Sequence, residues 1–170
     1  MRQRADLGLW LIGLAIFAVV VGLGLWLASA SDYGIVDHQQ AGSAEMVDAI
    51  QSHWRQQGVR WLAILAMLGD LVFIGVYGVG AWRAGRSLLA HHVALARVAG
   101  RTIIVAALIF LITDYAETGL EFVQLIADRG VGWMAAGAAA MQVPKVAAFG
   151  VSFFGVIVGA LAARKPLPDA

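Results

Sequence analysis

The feature that most constrains this chain is a set of four apolar stretches, each over twenty residues long, at about residues 7–29, 61–82, 102–126 and 134–163. As α-helices rising about 1.5 Å per residue, all four are long enough to cross a bilayer core of about 30 Å. Hydrophobic residues make up 61% of the chain and charged residues only 14%, which is too apolar for one soluble domain. The sequence therefore predicts an all-α membrane protein, a single four-transmembrane-helix bundle over residues 1–170.

The distribution of basic residues predicts the orientation, because arginine and lysine in short loops favour the cytoplasm. With the N-terminus inside, the cytoplasmic side holds Arg2, Arg4, Arg83, Arg86, Arg97, Arg101, Arg164 and Lys165, and the outer side holds Arg55, Arg60 and Arg129. The N-terminal segment also resembles a cleavable signal peptide, but its apolar run is longer than a usual signal core. Both termini are therefore predicted to be cytoplasmic, in a bacterial cytoplasmic (inner) membrane.

Two polar connections join the predicted spans, an outer loop at 30–60 and an inner loop at 83–101. In the outer loop Ser43 is placed to cap a short helix whose Val47, Ile50 and Trp54 share one face. We expect this helix to lie on the outer membrane surface or against the bundle, with docking of a soluble partner as the alternative. The inner loop is expected to be a helical connector at the anionic cytoplasmic surface.

The most informative residues are five ionisable side chains inside the predicted spans: Asp70, Asp114, Glu117, Glu121 and Lys145. An isolated charge at the bilayer centre costs about 2.5 to 3.5 kcal/mol on insertion scales, so such residues usually mark function. Counting helical rise from the flanking arginines places the two aspartates near mid-depth, and Glu121 and Lys145 near the outer boundary.

Helical periodicity predicts that these side chains share an interior seam. At 100° per residue, Asp114, Glu117 and Glu121 fall within about 60° of one another on the third span, with Thr118 beside them. On the second span, Asp70 and Tyr77 lie two turns apart on one face. All seven residues are therefore candidates for binding a ligand or ion.

The charges of this seam do not balance. Four carboxylates face one ammonium group, so a fully ionised set would carry a charge of about minus three in a poorly solvated place. Either several carboxylates are protonated, or a cation sits among them, or water enters from the outer face. The structural alternative is that Lys145 pairs with Glu117 or Glu121, while the aspartates bond to Tyr77, Tyr115 and Thr118.

Several classes of chemistry are excluded or disfavoured by residue type. The chain has no cysteine, which excludes disulfides, thiolate metal sites and cysteine nucleophiles. Its four histidines lie outside the spans, so no haem is expected. A hard cation on carboxylate oxygens stays open, although the identity of any metal is unknown. The net charge of +1 forms no basic face, so nucleic acid is not an expected partner.

Three short motifs suggest a family. Asp70-Leu71-Val72-Phe73 precedes Tyr77, Asp114-Tyr115-Ala116-Glu117 follows in the third span, and Lys145 lies in the fourth. Together they resemble an uncharacterised family of bacterial four-helix integral membrane proteins with Asp-x-x-Phe-x-x-x-Tyr, Asp-x-x-Glu-Asn and a lysine in the second, third and fourth helices. Thr118 stands where that family usually has asparagine. The resemblance implies the four-span fold and the importance of Asp70, Asp114, Glu117 and Lys145, but no known activity.

These observations give one main hypothesis and two alternatives. The main hypothesis is a small membrane protein whose acidic seam binds or conducts a cation, a proton or a small cationic solute from the outer face. The first alternative is an accessory or assembly subunit of a larger membrane complex, and glycines spaced for close helix packing leave a homo-oligomer open as well. The second alternative, an enzyme acting on a lipid or isoprenoid through an acid pair such as Asp114 and Glu117, is the less favoured.

Overall fold

The computed structural model describes residues 5–164, which form six α-helices and no β-strand. In chain order these are α1 (Gly8–Ser31), α2 (Ile35–Gln39), α3 (Ala44–Gln56), α4 (Arg60–Leu89), α5 (Ala94–Ala127) and α6 (Gly132–Ala162). The basic residues Arg2, Arg4 and Lys165, which contribute to the predicted orientation, lie outside the described range.

Four of these helices, α1, α4, α5 and α6, are long and apolar enough to cross a membrane. A helix suits this setting because it satisfies its own backbone N–H and C=O groups where lipid cannot. With 30, 34 and 31 residues, α4, α5 and α6 are each longer than the bilayer core requires. The four predicted spans therefore correspond to the four long helices, and α4 and α5 run past both ends of their predicted spans.

The inner connection is much shorter than the predicted loop at 83–101. Helix α4 continues to Leu89 and α5 begins at Ala94, so only residues 90–93 separate them. Hydropathy marks where the apolar stretch ends, but intrahelical hydrogen bonding continues through Arg83, Arg86, Arg97 and Arg101. Most of the predicted helical connector thus belongs to the end of α4 and the beginning of α5.

The long helices are arranged as an open bundle. Helix α4 packs along α1 and α5, and α5 packs along α6, whereas α6 meets α4 over a shorter stretch. Glycines allow the close approaches: a Cβ on Gly80 would lie 2.7 Å from Trp10 Cα, and a Cβ on Gly85 would lie 2.9 Å from the Gly100 carbonyl oxygen. Helices α1 and α6 meet through the ring pairs Trp10–Phe153 and Phe17–Phe149.

The connection between α1 and α4 folds into a cap made of α2 and α3, which we call the outer cap after the predicted outer loop that forms it. Ser43 Oγ accepts a hydrogen bond from the Met46 backbone N–H at 3.3 Å, so α3 begins where the sequence indicates. Val47, Ile50 and Trp54 are all buried on one face of α3, as the periodicity predicts. Helix α2 is not predicted, because five residues are too few to give a periodic signal.

Candidate functional site

The charged side chains inside the bundle come together where α4, α5 and α6 face one another. Asp114, Glu117, Thr118 and Glu121 all lie on the buried face of α5, each 3% exposed or less. Periods of three and four residues place them on one side of a helix. We refer to Asp70, Asp114, Glu117 and Glu121 as the acidic cluster.

Lys145 joins α6 to α5 through two carboxylates of this cluster. Its Nζ donates to Glu117 Oε1 at 2.7 Å and forms an ion pair with Asp114 Oδ1 at 3.3 Å. Counting helical rise places Lys145 nearer the outer boundary than Asp114. Its long side chain nevertheless brings the ammonium group beside the Asp114 carboxylate. Of the predicted pairings, the contact with Glu117 is formed.

A second residue of α6 strengthens the same contact. Gln142 Nε2 donates to Glu117 Oε1 at 2.8 Å and lies 3.5 Å from Gln39 Oε1 in the outer cap. Neither glutamine is among the residues that the sequence predicts for this site. Gln142 is detectable in principle, because it precedes Lys145 by three residues and shares its helix face. Gln39 lies in α2 and gives no such signal.

Asp70 connects α4 to this network through a hydroxyl group. Thr118 Oγ1 donates to Asp70 Oδ2 at 3.0 Å. Tyr115 does not bond to an aspartate, since its hydroxyl donates to the Leu71 carbonyl oxygen at 3.2 Å. The structural alternative predicts bonds from the aspartates to Tyr77, Tyr115 and Thr118. Of these three hydroxyl groups, that of Thr118 contacts Asp70.

Tyr77 lies apart from the acidic cluster. Its hydroxyl is 2.9 Å from Ser152 Oγ and 3.4 Å from the Phe149 carbonyl oxygen. Phe73 lies between Asp70 and Tyr77 along α4, and its ring centroid is 5.4 Å from that of Tyr77. A shared helix face predicts an inward direction for Tyr77, but α6 decides which partner the hydroxyl meets.

Glu121 is the least compensated member of the cluster. It is 1% exposed, and neither carboxylate oxygen has a hydrogen-bond partner among the described residues; the same is true of Glu117 Oε2. An ionised carboxylate buried in this way carries a large desolvation penalty unless a proton or cation compensates it. The cluster thus has more acceptors than its single ammonium group and its two other hydrogen-bond donors, Thr118 and Gln142, satisfy.

A cavity of about 550 Å³ opens beside the cluster. Its polar wall includes Asp70, Asp114, Gln142, Lys145 and Gln39. Its apolar floor consists of four phenyl rings, which we call the aromatic floor: Phe17, Phe73, Phe110 and Phe149. The cavity also reaches Val21, Leu25 and Val146, which are 41%, 67% and 60% exposed, at the gap between α1 and α6.

The arrangement is not that of a preformed metal centre. No group of three or more His, Cys, Asp or Glu side chains in residues 5–164 is placed to hold a metal ion. Asp114 and Glu117 pair with Lys145 and Asp70 bonds to Thr118, instead of converging on one point. The chemistry that they offer is proton exchange or attraction of a positive group that enters the cavity.

His38 occupies a separate buried position in the outer cap. It is 2% exposed, stacks on Trp54 and has its Nε2 3.1 Å from Gln51 Nε2. Burial lowers the pKa of His38 to about 4. The neutral ring is therefore part of what holds α2 against α3.

Comparisons with protein-family models, with curated proteins and with solved structures gave no match to this chain.

Proposed function

We propose that this chain is a small integral membrane protein that binds or conducts a cation, a proton or a small cationic solute at the acidic cluster, which is reached from the outer face. The observation that carries the proposal is the cavity on whose wall Asp70, Asp114 and Lys145 lie. The sequence hypothesis requires a path to the two aspartates, and a dry, closed cluster would argue against it. At about 30 Å³ per water molecule, the cavity has room for on the order of ten waters.

The charge balance supports the same proposal. Lys145 compensates Glu117 and Asp114, but Asp70 accepts one hydrogen bond, from Thr118, and Glu121 accepts none among the described residues. A purely structural network is expected to satisfy its members, because an unsatisfied buried acceptor costs about 1 to 3 kcal/mol, and more when charged. A mobile cation or proton satisfies the excess without a further side chain.

The proposal includes an orientation in the bacterial inner membrane with both termini inside and with α3 at the outer surface. In support, Trp26, Trp61 and Trp133 are 54%, 53% and 68% exposed at the end of the bundle that holds the outer cap. Aromatic belts of this kind mark the membrane–water interface. Arg83, Arg86, Arg97 and Arg101 flank the opposite connection at 90–93.

Cysteine labelling tests this orientation directly, because the chain has no native cysteine. Gln57→Cys and Ala90→Cys replace exposed residues at opposite ends of the bundle. In intact cells we expect a membrane-impermeant maleimide to label Gln57→Cys, and to label Ala90→Cys only after the cells are permeabilised. The reverse labelling pattern would mean that the bundle has the opposite orientation, with the cavity entrance on the cytoplasmic side.

The function is tested by cation binding to the protein in lipid nanodiscs. We expect sodium, potassium, magnesium or methylammonium chloride to raise the midpoint of thermal unfolding at matched ionic strength, since a ligand of the folded state stabilises it by mass action. Asp70→Asn should abolish the increase. Asp32→Asn is the matched control, because Asp32 is exposed and has a left-handed backbone (φ 60°) that asparagine also adopts.

A wild-type protein that responds neither to these cations nor to protons would contradict the proposal. In that case the acidic cluster would serve helix packing or a neighbouring chain, and the accessory-subunit alternative would replace it.

A further inference from the structure

The aromatic floor lies directly against the acidic wall of the cavity, and each of its four rings comes from a different long helix. Phe17 of α1 contacts Phe73 of α4, with ring centroids 5.0 Å apart. Phe110 of α5 lies 5.9 Å from Phe73 and 5.8 Å from Phe149 of α6. The whole bundle is therefore needed to build this floor.

The same cavity presents two carboxylates with incomplete partners. Asp114 is 3% exposed, and its Oδ1 forms an ion pair with Lys145 but accepts no hydrogen bond. Asp70 accepts one hydrogen bond, from Thr118. Lys145 also lines the cavity, but Glu117 and Asp114 together hold its charge. The side of the cavity near Asp70 thus presents a carboxyl group that no cationic side chain of the described residues contacts.

Phenyl rings and carboxylates together favour one class of cation. A hard metal ion requires several converging oxygen ligands and gains little from phenyl faces. A quaternary or highly substituted ammonium group is weakly hydrated because it has few or no N–H donors, and it is attracted both to the faces of aromatic rings and to carboxylates. A volume of about 550 Å³ also falls within the range of sites for drug-sized molecules, about 300 to 1,000 Å³.

The opening of the cavity indicates what the rest of the ligand looks like. Val21 and Leu25 of α1 face Val146 of α6 across the entrance, and all three are exposed. Below this entrance α1 and α6 are joined by the Phe17–Phe149 pair, so the gap is confined to the outer half. An apolar entrance of this kind, within helices that could span a bilayer, accepts a ligand with hydrocarbon groups.

We propose that the cavity binds an organic ammonium cation with hydrocarbon substituents, which enters from the outer half of the bilayer between α1 and α6. This inference rests on the proposed function and narrows its ligand from any cation to this class. The ammonium group lies between the Asp70 carboxylate and the aromatic floor, and the hydrocarbon part extends toward Val21 and Val146.

The test uses benzyltrimethylammonium as the probe and neopentylbenzene as its neutral counterpart of the same shape. Equilibrium binding to the wild-type protein in nanodiscs is expected for the cation, with binding of the neutral compound at least about tenfold weaker. Asp70→Asn should weaken binding of the cation by about tenfold or more. Empty nanodiscs measure partition into lipid, which is subtracted.

A second variant keeps all charges in place, so that the test stands even if Asp70→Asn does not fold. Phe17→Leu removes one ring of the aromatic floor, and about threefold to tenfold weaker binding of the cation is expected. Phe154→Leu is the matched control because Phe154 is 65% exposed and does not line the cavity. Its binding should equal that of the wild type.

Three results would overturn this inference. Equal binding of the neutral compound would mean that the cavity selects shape and apolar surface alone. If benzyltrimethylammonium does not bind but the protein shows an Asp70-dependent response to sodium, potassium, magnesium or protons, the ligand is not an organic cation. The proposed function would then still stand. If the protein responds to none of these ligands, both this inference and the proposed function are wrong.

Discussion

Replacing Lys145 by methionine is expected to lower the free energy of unfolding by about 3 to 5 kcal/mol, the usual result of removing one partner from a buried ion pair. Lys145 Nζ lies 2.7 Å from Glu117 Oε1 and 3.3 Å from Asp114 Oδ1. Methionine fills much of the same volume but leaves both carboxylates without an ammonium group. The thermal unfolding midpoint of the purified protein in detergent reports the loss.

Two further variants separate this effect from general damage. Arg83→Met removes an ion pair with Asp6 whose side chains are 55% and 47% exposed, and exposed pairs contribute at most about 1 kcal/mol. The double variant Lys145→Met/Glu117→Gln removes a negative charge together with the positive one, and it should recover part of the lost stability. If Lys145→Met unfolds at the same temperature as Arg83→Met, the acidic cluster does not depend on its lysine.

Acidification is expected to destabilise the outer cap through His38. Because burial lowers the pKa of His38 in the folded protein to about 4 from an unfolded value of 6.5, the unfolded chain binds the proton more readily between these values. The contribution of the neutral ring is complete above pH 6.5 and falls as the pH decreases toward 4. Over that interval the loss amounts to about 3 kcal/mol.

The contacts of His38 explain why the charged ring fits poorly. Its Nε2 accepts from the Gln51 amide, which a protonated ring cannot do, and its Nδ1 has no partner among the described residues. The thermal unfolding midpoints of wild type and His38→Gln are compared between about pH 7 and pH 5. The difference between the two midpoints at each pH measures the effect, because the contributions of the other titrating groups cancel. His92→Gln, a change at an exposed histidine, should keep the wild-type dependence. A His38→Gln protein with the same pH dependence as the wild type would exclude His38 as its source.

The fold could be read from the sequence because the bilayer requirement is simple. Four apolar stretches predict four helices, and the stripe of Asp114, Glu117 and Glu121 predicts one buried face on α5. The cap at Ser43 predicts where α3 begins. These features depend on local periodicity and length, which a single sequence carries.

The missing parts depend on how helices face one another. Helical periodicity directs Tyr77 inward but does not identify Ser152 as its partner, since that choice depends on the position of α6. Gln39 reaches the network only because α2 folds back over the cavity. The aromatic floor takes one residue from each long helix, so no local pattern in the sequence indicates it.

Infrared difference spectroscopy of the carboxyl bands tests whether the acidic cluster exchanges protons or binds a cation. Spectra of the protein in nanodiscs are recorded across a pH titration, with and without added cation, for wild type, Asp70→Asn, Asp114→Asn and Glu117→Gln. We expect carboxyl bands that respond to protons or cation in the wild type and in the Asp32→Asn control, and we expect each of the three variants to lose the band of the carboxyl group that it replaces. Carboxyl bands that respond to neither, in variants that merely unfold at lower temperature, would contradict it.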